Sequence, residues 1–158
     1  MEDRIFTDQL LLHLREAKSM SPSKDIELPD FTFAFGSPLE ALMYANLFWP
    51  NFVEFSGMIF HSEVLHSENA RTRVMQMVAE TSAPSEVEKS FNQFEIPSSF
   101  FGKRAGDTTE LEDVHLARMI CEMWQARLSL LFPDKRVKAL CTLEEDEEPC
   151  ITVFQERS

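Results

Sequence analysis

The sequence predicts a single α+β domain, 1–158, in which a mostly antiparallel sheet of about four or five strands packs against helices. Three observations carry that expectation. Apolar residues step by three and four over about 109–131, the signature of one long amphipathic helix. Period-two alternation recurs at Phe31–Phe35, in the segment Phe52–Phe60 and again from Val137 to Gln155, ending in a C-terminal β-hairpin. These strand-like runs are too few and too unevenly spread for a doubly wound parallel sheet. At 158 residues, splitting the chain would leave two pieces that each bury little surface.

Taken in order, Phe6, Leu10, Leu11 and Leu14 recur at helical spacing, with Asp8, Arg15 and Glu16 on the polar side. Ser19 to Lys24 is small and polar around Pro22, a loop. Phe31, Phe33 and Phe35 alternate with Thr32 and Ala34, which predicts a strand with an aromatic face, broken at Gly36. Ser37-Pro38-Leu39-Glu40 has the cap, first-turn proline and acidic third residue of a helix start. Leu39, Leu42, Met43 and Leu47 form that helix's expected buried face, and Pro50 ends it. Phe52–Phe55 and Met58–Phe60 around Ser56-Gly57 read as a hairpin or as one strand bulged at Gly57.

Ser67 or Asn69 would cap a helix carrying Ala70, Val74, Met77 and Val78. Ser85 to Glu88 repeats the capping-box pattern, and Val87, Phe91 and Phe94 suggest a further short helix before Pro97. Pro97 to Thr108 reads as irregular, with Phe100 and Phe101 stranded in a loop. In the long helix, Val114, Ala117, Ile120, Cys121, Trp124, Leu128 and Leu131 make the apolar stripe. An acidic turn, Glu144 to Glu148, joins the two strands of the terminal hairpin.

The composition excludes several functions. Fifteen Lys and Arg against 27 Asp and Glu leave a formal charge of −12, which opposes binding to a phosphate backbone, so no nucleic-acid partner is expected. The start Met1-Glu2-Asp3-Arg4 lacks a basic region followed by an apolar one, and no apolar run reaches the ~20 residues of a membrane helix. No membrane partner is expected, and the location expected is cytoplasmic, with Cys121, Cys141 and Cys150 as free thiols. A Cys141–Cys150 disulfide across the hairpin is the minor alternative.

Candidate chemistry is sparse. Two His-Ser-Glu triplets put His61 and His66 five apart, wrong for one helical face and wrong for one strand face, so no metal is expected. Cys121 lies on the apolar stripe and Cys141 on the inner strand face, where a thiol packs as a small apolar group. Phosphate-cradling and nucleophile-elbow patterns are missing among the four glycines, so no cofactor and no catalytic residue is assigned.

The leading expectation is a non-enzymatic acidic protein-binding module, of inhibitor, immunity or antitoxin-like, or chaperone-like kind, engaging a basic protein partner. Its binding residues would be the acidic turn Glu144, Glu145, Asp146, Glu147 and Glu148, and the loop carrying Phe100, Phe101, Lys103 and Arg104. A small hydrolase-type enzyme using His61, Glu63, His66 and His115 is the alternative. A structural subunit contacting its neighbours through the Phe-rich strand or the Trp49 region is a third. Oligomeric state is not legible.

Overall fold

The computed structural model describes residues 2–18, 27–81, 83–144 and 147–157, with side chains for all of these except 2–7, 17 and 103–105. The fold is α+β. It divides into two compact units, Met1–Tyr44 and Ala45–Ser158.

The first unit contains α1 (Glu2–Ala17), α2 (Leu28–Phe35) and the start of α3 (Pro38–Phe48). The phenylalanine segment expected as a strand is the helix α2. Local capping explains the difference. Pro29 sits in the first turn, where its missing N–H costs nothing, and the Asp30 carboxylate accepts the Glu27 N–H at 2.8 Å. At the other end the Gly36 N–H bonds to the Thr32 carbonyl, and a Cβ on Gly36 would clash with that oxygen. Phe31 is buried and its ring lies 6.0 Å from that of Phe35, over which the Lys18 ammonium stands.

The second unit opens with the end of α3, where Leu47 enters the core. β1 (Phe52–Phe55) and β2 (Met58–His61) form a two-residue hairpin. Ser56 and Gly57 both have positive φ, as a turn matching the strands' right-handed twist requires. A 3₁₀ turn (Ser62–Leu65) leads to α4 (Glu68–Thr81), whose first turn is capped by the Ser67 hydroxyl. Next come α5 (Pro84–Phe91), β3 (Gln93–Glu95), α6 (Ser98–Phe101), a second 3₁₀ stretch (Gly102–Asp107), α7 (Glu110–Leu131), β4 (Val137–Thr142) and β5 (Cys150–Gln155).

Four further expectations change. The strands form two small antiparallel sheets, β1-β2 and β3-β5-β4, in place of one sheet of four or five. Phe94 is a strand residue, and the helix before it starts at Pro84 and ends at Phe91. Ser85 does not cap it; its hydroxyl donates to the Gln155 carbonyl instead. The segment expected as an irregular loop coils into α6 and a 3₁₀ stretch, and Phe100 and Phe101 are half-buried against the core.

All four residues of β2 are buried, and their alternation serves two cores. Ile59 joins the α7 core around Trp124, while Met58 and Phe60 join Leu65, Val74 and Val87 under α4 and α5. The Trp124 indole N–H donates to the Leu47 carbonyl at 2.8 Å, so the large ring is buried with its polar atom satisfied.

The two sheets are linked through α5. Glu88, fully buried, accepts five hydrogen bonds: Oε1 from the Ile59 N–H (2.8 Å), Gln155 Nε2 (2.6 Å) and Arg157 Nη2 (3.2 Å), and Oε2 from the Gln155 N–H (3.0 Å) and Arg157 Nη1 (2.7 Å). One turn later, Asn92 Nδ2 donates to the carbonyls of Ile59 (2.8 Å) and Val153 (3.1 Å), while Oδ1 accepts the His61 N–H. Breaking a buried pair leaves its remaining charge and donors uncompensated. Glu88→Ala is therefore expected to lower unfolding free energy by about 3 to 5 kcal/mol in a denaturant titration. Exposed Glu86→Ala, which loses only a surface pair with Lys89, should cost under about 1 kcal/mol.

Candidate functional site

The most conspicuous surface feature lies on α3. Leu39, Leu42 and Met43 share one face by i, i+3, i+4 spacing, and they are 76%, 69% and 58% exposed. The expected buried face of this helix is thus buried only at Leu47. On α2, Leu28, Phe31 and Phe35 form one stripe, and Phe33 points the other way with 94% of its surface exposed. Scattered exposed apolar residues are ordinary, whereas these three are grouped on one helical face and make an apolar patch.

The sequence-nominated binding residues fall elsewhere, and some are brought together. Glu148 receives the Ser98 hydroxyl at 2.6 Å and the Ser98 N–H at 3.3 Å, which ties the acidic turn to the first turn of α6. Phe100 and Phe101 stand on that same helix, with Phe100 stacked on Phe94 at 5.6 Å. Glu144, Glu147 and Glu148 are exposed and line an open cleft of about 230 Å³ with Lys89, Gln93 and Cys150. Glu145 and Asp146 lie outside the described residues, as do the side chains of Lys103 and Arg104.

The histidine constellation separates. His61 is not in a solvated loop but closes β2 inside the core, with its ring centroid 5.2 Å from Phe94, 5.2 Å from Trp124 and 5.5 Å from Phe52. Its Nδ1 accepts the Glu63 N–H at 3.3 Å, so the neutral ring carries its proton on Nε2, which is buried without a partner. His66 is exposed and turns back to the Glu63 carbonyl at 2.6 Å. His115 is half-buried on α7. Among the described residues, no three His, Cys, Asp or Glu side chains converge on a point where a metal could sit.

The thiols are similarly placed for packing. Burial, and then proximity to Cys141, push the Cys121 thiol up to about 11, and burial raises Cys141 as well. Cys141 pairs with Ile151 and Cys150 with Thr142, so the two cysteines project from opposite faces of the hairpin, and all three thiols are free. A second open cleft, about 450 Å³, is lined by Ser85, Lys89, Arg136, Phe154, Gln155, Glu156 and Arg157. Neither cleft is lined by a histidine.

Comparison with known protein families, with curated proteins and with solved structures found no match. The functional reading therefore rests on this geometry and on the sequence. What sequence reasoning missed is the exposure of α3. The signal was present: apolar residues occur around much of this helix, not only on one stripe.

Burial holds the His61 imidazole at a pKa of about 4, against an ordinary 6.5. Between those values the unfolded chain binds the extra proton and the folded chain does not. The His61 contribution to stability should be level above pH 6.5 and fall by about 3 kcal/mol as the pH drops from 6.5 to 4. His61→Phe removes this term, and the difference between the two proteins' urea titrations across that window measures it.

Proposed function

We propose that this chain is a protein-binding module without catalytic activity, of the inhibitor, immunity or antitoxin-like, or chaperone-like kind, and that α3 makes the principal contact with its partner. The observation that carries this reading is the exposed Leu39, Leu42 and Met43 face. The formal charge of −12 favours a basic partner and fast, salt-sensitive association. The tied acidic turn and α6 are a secondary contact in this reading. The enzyme alternative has less support, since His61 is sealed among aromatic rings and Glu88 is consumed by five donors.

The test is affinity capture from the native host, followed by quantitative mass spectrometry, with the native protein and with Leu39→Asp/Leu42→Asp. Both side chains are exposed, so the near-ultraviolet signal of buried Trp124 should not change. Capture of the specific partner should fall on the order of tenfold or more, as for central interface residues. With Glu144, Glu145, Glu147 and Glu148 all changed to Gln, the partner should associate more slowly and dissociate at the same rate. Undiminished capture by the Leu39→Asp/Leu42→Asp protein would refute the reading.

A further inference from the structure

Building on the proposed protein-binding reading, we infer that the partner of α3 is an amphipathic helix whose apolar stripe is bordered by Lys or Arg. Shape supplies the first argument. α3 is exposed along Pro38–Asn46, so it offers a convex ridge, and Leu39, Leu42 and Met43 are the i, i+3, i+4 steps that interdigitate with the grooves of another helix.

Charge supplies the second. From Asp25 to Ala70 the chain has no Lys or Arg, and Glu40 stands on α3 next to Leu39 and three residues before Met43, while Lys18 reaches the neighbouring helix at Phe35. Cations on the partner complement Glu40 and the chain's formal charge of −12. A second copy of the chain would instead bring two Glu40 carboxylates and two chains of charge −12 together, which like-charge repulsion opposes. A lipid surface is disfavoured on the same ground, because helices lying in a membrane interface carry Lys and Arg on their polar face and α3 carries none.

The experiment uses the full chain and two fluorescent model peptides of about five helical turns, with the same leucine stripe and either Lys or Glu borders. Anisotropy titrations are run in about 0.05 M and about 0.5 M salt, which shortens the screening length several-fold. The comparison protein is Leu39→Gln/Leu42→Gln/Met43→Gln, which keeps the charge and uses a good helix former.

The Lys-bordered peptide should bind the native chain, about tenfold more weakly in high salt and at least about tenfold more weakly to the glutamine variant. Glu40→Gln should weaken it mainly through association rate. Equal binding of the Glu-bordered peptide overturns the inference, and so does equal binding of the Lys-bordered peptide by the glutamine variant. Two further results would replace the partner. One is a dimer in sedimentation that the glutamine variant abolishes; the other is binding to phosphatidylserine vesicles lost in the same variant. If native capture is lost in the Leu39→Asp/Leu42→Asp protein while both peptides bind alike, the protein-binding reading stands and only the partner's chemistry is wrong.

Discussion

β2 and the end of β5 that runs on beyond its pairing with β3, Val153–Gln155, are joined through side chains of α5, and the second unit depends on that substitution. A strand edge brought into a core with its amides unmet would cost several kcal/mol, since each orphaned group loses its water. Glu88 and Asn92, one helical turn apart, supply the missing acceptors and donors to Ile59, His61, Val153 and Gln155. The Asn92 carbonyl continues the series by accepting the Val153 N–H just beyond β3. Two small sheets thereby behave as one layer, and the same carboxylate draws in Arg157 from beyond the end of β5.

A parallel device closes the other side of the larger sheet. β4 is an edge strand, yet Gln125 of α7 bonds both the Val137 carbonyl and the Ala139 N–H, and the Cys121 thiol donates to the Ala139 carbonyl. Covering an edge in this way prevents another chain from adding a strand there. Cys121 therefore does two jobs, filling the helix–sheet interface and finishing a backbone ladder, and a high thiol pKa suits both because the S–H must remain to donate. With Val137 and Ala139 occupied this way, this stretch of β4 is not free for partner recognition by strand addition.

How much of this was legible in the sequence follows from the range of the forces involved. α7 and the terminal hairpin could be read because each repeats its own period for long enough to exclude the other. α2 could not: in so short a segment, Phe31, Phe33 and Phe35 satisfy period two, while Leu28, Phe31 and Phe35 satisfy the helical period equally well. The deciding information was in Pro29 and Asp30, just outside the alternation. β3, a three-residue strand, is too short to show a period at all. Glu88 and Asn92 look like ordinary solvated helix residues, and nothing local predicts that both are buried. For the site, the sequence pointed to the acidic turn and α6 but not to their tie through Glu148 and Ser98, and it assigned the α3 face to the core.

That last assignment used a sound rule, which is that apolar helical faces are buried. Within Met1–Tyr44, however, Phe31 is the buried hydrophobic side chain among the described residues. α2 and α3 span 8 and 11 residues, below the roughly 12–15 at which even favourable sequences hold a helix in water unaided. Capping by Asp30 contributes about 1 kcal/mol, far less than the ordering of those backbones costs. Burying Leu39, Leu42 and Met43 contributes about 1.5 to 3 kcal/mol each, which is the scale needed to offset part of that cost. In the proposed reading the rule still holds for α3, with the burying surface supplied by the partner. In that reading the contact α3 recognises also helps to hold it in its helical form.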